Sequence, residues 1–199
     1  PWWMGFKLLG YSPLGWQIWS IFWRWLTSVL LWLGFTRIWP EKKLQIALAS
    51  VLFIVYPIFL QQTNSVTFSD HWICFALYAT SILCTVLAIQ NRRFFLPLTG
   101  LALIFSGLEL FALEYFVGLE LLRFVLIWFL LRDTPETKKR FLDTLGHSLP
   151  YITLLGGFLI WRLAFMPTSG SDRNTPEILT GLLADPFHTV PGVALHAVQ

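Results

Sequence analysis

Five ionisable side chains fall inside long apolar stretches of this sequence, where a charged group is costly and is by default a candidate functional residue. They are Arg24, Glu109, Glu120, Arg123 and Arg162. Glu120 and Arg123 are three residues apart, so on a helix they share one face and can pair. The pair has two interpretations. It is either an internal ion pair that neutralises two charges, or a site in which Arg123 binds a phosphate that Glu120 helps to orient.

Two carboxylates, Glu109 and Glu114, stand near the middle of the longest apolar run with no cation close to them in sequence. Such groups are often simply solvated or protonated. Acids that face one cavity can instead bind a hard divalent cation through oxygen, or supply a general base. A divalent metal is therefore a candidate cofactor.

Asp70 and Arg162 lie at the ends of apolar stretches. Ser69 or Asp70 could cap the N-terminus of a helix, where a carboxylate also complements the helix dipole. The alternative is that Asp70 or His71 lines a site. Arg162 could extend its guanidinium to the membrane interface, or bind a phosphate.

The composition defines the class of protein that holds these residues. Of 199 residues, 56% are hydrophobic and only 13% are charged, with a mean hydropathy of +0.64, whereas soluble domains have about 25% charged residues. A water-soluble globule is excluded. The net charge of +3 is too small to argue for a nucleic-acid partner.

Six apolar stretches are each close to the roughly 20 residues that cross a bilayer as a helix. The sequence therefore predicts an all-α, polytopic transmembrane helix bundle of about six spans, with membrane lipid as its surroundings. The fourth and fifth stretches form one run that is too long for a single span, and we expect it to break at Glu114. The predicted spans are Trp16 to Thr36, Leu44 to Leu60, Trp72 to Ile89, Phe94 to Leu113, Tyr115 to Leu131 and Leu149 to Met166.

Basic residues concentrate in alternate connections and predict the orientation of the chain. Nine of the 14 cations lie in residues 37–43, 92–93 and 132–140, which the positive-inside rule assigns to the cytoplasm. The N-terminus, the loop before Asp70, the corner at Glu114 and the C-terminal tail then fall on the non-cytoplasmic side.

The predicted organisation has three parts. Residues 1–15 form an outer interfacial segment, a helix in the headgroup plane that Gly10 and Ser12-Pro13 end. Residues 16–166 are the six-span domain, and residues 167–199 are a non-cytoplasmic tail or loop. Because the chain opens at Pro1 with neither Met nor a signal peptide, we expect a fragment or a processed form.

Several short motifs resemble those of GT-C membrane glycosyltransferases, in particular the transmembrane, tetratricopeptide-repeat O-mannosyltransferases and their bacterial relatives. The motifs are the run KLLGYSPLGWQIWS from Lys7 to Ser20, FTRIW at Phe35, LFIVYP at Leu52, Ser69-Asp70-His71, and the stretch from Leu149-Pro-Tyr to Trp161-Arg162. The chain departs from the family pattern at two positions. Trp16-Gln17 stands where the family has Tyr-His, and Tyr56 stands where it has a His before Pro.

The resemblance implies transfer of a sugar from a polyprenyl-phosphate carrier to an acceptor on the non-cytoplasmic face, by a single inverting displacement. It implies a bacterial inner-membrane location and places the family's main catalytic acid before Pro1, so the chain would be N-terminally incomplete. By position, Asp70 matches the acid of the second outer loop and Arg162 matches an arginine that meets the carrier phosphate. In this hypothesis Asp70, Glu114 and Glu120 line an outer cavity, and Arg123 and Arg162 hold the phosphate.

Two other functions stay open. The chain could be a non-catalytic structural subunit of a larger membrane complex, with its Trp- and Phe-rich helices packed on partner subunits, pigments or lipids. It could also be a transporter or flippase, because charged residues within spans mark substrate pathways too.

Overall fold

A computed structural model of the chain describes residues 2–55 and 65–165, and in these residues all regular secondary structure is helical. The predicted all-α class is confirmed. Short 3-10 turns cover Pro40–Lys42, Arg92–Phe94 and Glu114–Phe116. The described residues form seven α-helices: α1 (Trp2–Leu9), α2 (Pro13–Ile38), α3 (Lys43–Val55), α4 (Ser65–Gln90), α5 (Phe95–Ala112), α6 (Leu119–Leu130) and α7 (Thr137–Phe165).

The chain divides into two compact units, residues 1–158 and 159–199. Of the second unit, the structure describes residues 159–165, which are the last turns of α7. The predicted tail of residues 167–199 lies outside the described residues.

In the described part of the chain, four helices are long and apolar enough to cross a membrane: Pro13–Ile38, Phe68–Gln90, Arg92–Ala112 and Thr137–Phe165. They support an integral membrane protein. The count of six spans is not confirmed. Helix α6 has 12 residues, or about 18 Å of helix against roughly 30 Å of hydrocarbon. The described part of α3 ends at Val55, so the rest of the predicted span to Leu60 lies outside the described residues.

The predicted break at Glu114 is confirmed. Helix α5 ends at Ala112, Leu113 is extended with φ −153° and ψ 107°, and Glu114–Phe116 form a 3-10 turn. The same turn takes up the first residues of the predicted fifth span, from Tyr115. This is why α6 begins only at Leu119 and is short.

Helix α7 begins at Thr137, twelve residues before the predicted start at Leu149. Its first turns are polar, so an apolar stretch does not reveal them. Arg140 in this part donates from Nε to the carbonyl oxygen of Trp128 at 3.0 Å. The guanidinium carbon also lies 4.2 Å from the Trp128 ring centre. Arg140 thereby satisfies a carbonyl in the last turn of α6 and attaches α7 to it.

The turn between α1 and α2 follows the sequence prediction. Gly10 has a φ of +57°, which glycine adopts without strain. The Ser12 hydroxyl then accepts from the backbone N–H of Gly15 at 3.2 Å, and Pro13 is the first residue of α2. The indole N–H of Trp16 donates back to the carbonyl oxygen of Gly10 at 3.0 Å. The placement of α1 in the headgroup plane stays a prediction.

Helix α4 is the central helix and packs against α2 and α5. In its most apolar window 56% of the residues are buried, against 22%, 22% and 17% for α2, α5 and α7. Small side chains such as Ala76, Ala79 and Ala88 lie in its buried faces and let neighbouring backbones approach closely. The outer helices leave large apolar side chains exposed, as expected for faces that contact lipid.

The three basic connections meet at one end of the first unit, which we call the basic end. Gln90 donates to the carbonyl oxygen of Arg37 at 3.0 Å, and Arg132 pairs with Glu41 at 3.1 Å. A hydrogen bond to its own backbone and the neighbouring Arg132 lower the pKa of Glu41. A cavity of about 840 Å³ at this end is lined in part by Arg92, Lys139 and His147.

The start of α4 meets the Glu114 corner at the other end, which we call the corner end. The ring centres of His71 and Phe75 lie 6.1 and 4.5 Å from that of Phe116. The three basic connections thus lie together at one end, and the start of α4 and the Glu114 corner lie together at the other. The membrane side of each connection stays a prediction.

Candidate functional site

A buried polar cluster lies where α4, α5, α6 and α7 meet, and its centre is the ion pair between Glu120 and Arg123. Glu120 is 7% exposed and Arg123 is 1% exposed. Both side chains lie on the inward face of α6 together with Leu126 and Ile127, while Leu121 and Val125 are exposed. The spacing of three residues puts the two charges on one helical face, as the sequence predicts.

The guanidinium of Arg123 donates two hydrogen bonds to the carboxylate of Glu120. Nε donates to Oε2 of Glu120 at 2.6 Å, and Nη2 donates to Oε1 at 2.9 Å. Nη1 also donates to Thr85 at 2.8 Å and Nη2 to Ser81 at 3.0 Å, both on α4. The Ser106 hydroxyl of α5 donates to Oε1 of Glu120 at 2.7 Å. Both charges are therefore compensated by charge-assisted hydrogen bonds.

Two tyrosines enclose the cation. The ring centre of Tyr151, from α7, lies 4.1 Å from the guanidinium carbon, and that of Tyr78, from α4, lies 5.6 Å away. The hydroxyl oxygens of Tyr151 and Thr85 are 2.9 Å apart, and the Tyr78 hydroxyl donates to the carbonyl oxygen of Leu119 at 2.6 Å. The aromatic faces stabilise the cation and help to exclude water from it.

The spacing of polar residues on α4 positions its side of the cluster. Asp70, Cys74, Tyr78, Ser81 and Thr85 are buried and recur every three or four residues, so they form one face of the helix. Ser81 donates to the carbonyl oxygen of Ala102 at 2.6 Å, and Thr85 to that of Ser81 at 2.8 Å. These bonds fix the hydroxyl oxygens that accept from Arg123.

The geometry matches the internal ion pair, the first of the two interpretations of Glu120 and Arg123. Four N–H groups of Arg123 already donate to Glu120, Ser81 and Thr85, and the residue is only 1% exposed. A phosphate would therefore have to enter a buried, already hydrogen-bonded cluster to bind Arg123. The assignment of Glu120 as a catalytic residue and of Arg123 as a phosphate ligand stays a prediction.

Glu109 and Glu114 do not face one site. Glu109 on α5 is fully buried, and no described residue forms a hydrogen bond with either carboxyl oxygen, whereas Glu114 at the corner is exposed. Within residues 2–55 and 65–165, no three His, Cys, Asp or Glu side chains converge as a metal site.

Asp70 is buried in the second turn of α4, with 6% of its surface exposed. The interpretation of Ser69 or Asp70 as a helix cap is wrong, because α4 begins at Ser65 and the Ser69 hydroxyl donates to the carbonyl oxygen of Val66 at 3.0 Å within the helix. Arg162 lies in the last turn of α7, in the second unit. Its phosphate-binding role stays a prediction.

Sequence reasoning missed the hydroxyl groups of the cluster, which belong to Ser81, Thr85, Ser106 and Tyr151. Serine and threonine are common in membrane spans because they can hydrogen-bond to their own helix backbone. The signal that could have identified two of them is the polar face of α4, which repeats with helical spacing from Asp70 to Thr85.

No protein-family model, curated protein or solved structure matches this chain. The resemblance to GT-C glycosyltransferases rests on the sequence motifs.

Proposed function

We propose that this chain is part of an integral membrane glycosyltransferase that moves a sugar from a polyprenyl-phosphate carrier to an acceptor on the non-cytoplasmic face of a bacterial inner membrane. The observation that carries the proposal is the separation of charge along the bundle. The basic connections meet at the basic end, while Asp70 lies near the opposite end of α4, where His71 contacts the Glu114 corner. Carboxylates at the outer end suit proton transfer from an acceptor hydroxyl.

Each predicted residue has a separate role in the proposed reaction. Asp70 accepts the proton of the acceptor hydroxyl as its oxygen attacks the anomeric carbon. The bond between that carbon and the phosphate oxygen breaks, and Arg162 stabilises the charge on the departing polyprenyl phosphate. Glu114 contacts the acceptor or the sugar from the corner. The Glu120–Arg123 pair supports the site by holding α6, and hence the corner, against α4 and α5.

Release of polyprenyl phosphate tests the proposal without knowledge of the acceptor. The complete protein in lipid vesicles is supplied with a panel of polyprenyl-phosphate sugars, and free polyprenyl phosphate is measured by mass spectrometry. Asp70→Asn should lower the rate by about 10²-fold or more, and Arg162→Ala by a similar factor. The control Asp133→Asn changes an exposed acid next to Arg132 at the basic end and should leave the rate unchanged. Wild-type rates in both test variants would contradict the assignment.

A second candidate function, a non-catalytic subunit of a larger complex, is favoured by one observation. The hydrogen bonds of the ion pair are all made inside the chain. In the most apolar windows of α2, α5 and α7, only 22%, 22% and 17% of the residues are buried. Those faces could contact partner helices. Native mass spectrometry of protein extracted from its own membrane would then show stable partner subunits, and no donor would release polyprenyl phosphate.

A further inference from the structure

Glu109 is a buried ionisable group that the Glu120–Arg123 cluster does not engage. Its carboxyl is fully inaccessible, and neither of its oxygens has a hydrogen-bond partner among the residues that the structure describes. It lies three residues after Ser106 on α5, on the face that meets α4. An ionised carboxylate without hydrogen bonds is among the costliest groups to bury, whereas the neutral acid costs far less.

The charges around Glu109 do not balance if every carboxyl is ionised. From α6, Glu120 and Arg123 lie within electrostatic range of Glu109. From α4, Cys74 and Tyr78 lie within range, and Cys74 also interacts with Asp70. Glu114 at the corner is exposed to solvent. Among the described residues, Arg123 is thus the one cation that acts on Glu109, and it lies beside two buried carboxyls, on α5 and α6.

The hydrogen bonds show which carboxyl Arg123 neutralises. Glu120 receives two guanidinium N–H groups and the Ser106 hydroxyl. Glu109 receives none of them. The cluster is electrically neutral when Glu120 is ionised and Glu109 carries a proton.

We propose that Glu109 is a proton-binding site within the membrane, held as the neutral acid beside the ionised Glu120–Arg123 pair. A proton fits where the carboxyl is fully inaccessible and where the described residues supply no cluster of metal ligands. Loss of the proton would place a second carboxylate in competition for Arg123. Protonation of Glu109 is thereby coupled to the contacts that hold α6 against α4 and α5, whatever reaction the protein performs.

Infrared spectroscopy tests the protonation state directly and needs no substrate. The complete protein in lipid vesicles at neutral pH should show the carbonyl stretch of a protonated carboxyl, and Glu109→Gln should remove it. The control variant Glu136→Gln, which replaces an exposed acid before α7, should retain that band. Absence of the band in the wild type, or its persistence in Glu109→Gln, would overturn the proposal.

Labelling with dicyclohexylcarbodiimide gives a second, residue-specific readout. The acid adds across the carbodiimide: its proton goes to one nitrogen, its oxygen bonds to the central carbon, and the acyl group then migrates to nitrogen with no leaving group. Peptide mass spectrometry should find the adduct on Glu109 and not on Glu120, with a rate that falls as pH rises. An adduct on Glu120 alone, or protection of Glu109 by sodium or calcium ions at constant pH, would contradict a proton site. If neither residue is labelled, the infrared band decides.

Discussion

The guanidinium of Arg123 donates to side chains of α4 and α6 and lies against a ring of α7. A buried pair of this kind stabilises little relative to apolar residues of equal volume, because both charges lose their hydration. The removal of one partner is different, since the other charge then stays buried without compensation. The contribution of the pair to stability should therefore be measurable when only one of the two residues, Glu120 or Arg123, is substituted.

Glu120→Gln should be strongly destabilising. It removes the negative charge and leaves the Arg123 guanidinium, which is 1% exposed, without a counter-ion. Breaking one side of a buried pair costs about 3–5 kcal/mol, so the melting temperature of the detergent-solubilised protein should fall clearly. Glu136→Gln, at an exposed position before α7, is the control and should change stability by less than about 0.5 kcal/mol. Equal melting temperatures for the two variants would show that the pair is not structurally important.

Thr85→Val tests the hydroxyl that joins three helices. The valine keeps the shape but removes the oxygen that accepts from Arg123 and contacts Tyr151, so one buried donor loses its partner at a cost of about 1–3 kcal/mol. The matched control is Thr153→Val. Thr153 is exposed, and its hydroxyl donates to the carbonyl oxygen of Leu149 in its own helix. A melting temperature for Thr85→Val no lower than that of the control would contradict the cluster.

The sequence predicts the centre of this cluster but not its surroundings. Glu120 and Arg123 pair because of a local spacing that any helix would impose. Tyr151 and Ser106 reach them from other helices, and such contacts depend on how helices pack. Asp70 shows the limit of local rules, because residues that resemble a cap became part of a longer helix.

At the scale of secondary-structure elements, the length of an apolar run predicts where a helix must break better than it predicts where a helix starts. The apolar run across Glu114 exceeds the thickness of a bilayer, so a corner is required, and the structure has one. The start of α7 at Thr137 has no such signal. Its polar first turns are held by Arg140 on Trp128, a contact between two helices that hydropathy does not reveal.

Gly5→Ala should detach α1 from α2. Gly5 is buried, and a Cβ at this position would clash with the indole ring of Trp16. Trp16 also anchors the turn through its bond to Gly10, so hydrogen exchange of residues 5–16 should become faster. Gly34→Ala is the control, because a Cβ on this buried glycine of α2 meets no atom within 4 Å. Alanine there should stabilise the helix by up to about 1 kcal/mol. Unchanged exchange in Gly5→Ala would show that α1 does not depend on this contact.

The distribution of basic residues predicts the orientation of the whole molecule in the membrane. Nine of the 14 cations lie in three connections, and the structure brings those connections to the basic end by contacts that the sequence does not specify, such as Gln90 with Arg37. The sequence predicts that these connections share one side of the membrane because alternate connections of consecutive spans do so. It could not predict the number of spans, because α6 is too short to count by length alone.

Labelling with a membrane-impermeant maleimide tests the orientation. The described cysteines, Cys74 and Cys84, are buried and partly buried within α4, so new cysteines at exposed positions should dominate the signal. Lys42→Cys and Asp133→Cys at the basic end should react only after the cells are lysed, because the positive-inside rule places their connections in the cytoplasm. Glu114→Cys at the exposed corner should react in intact cells. Labelling of Lys42→Cys in intact cells would reverse the orientation and place Asp70 toward the cytoplasm. A difference between Lys42→Cys and Asp133→Cys would mean that the basic connections lie on different sides of the membrane.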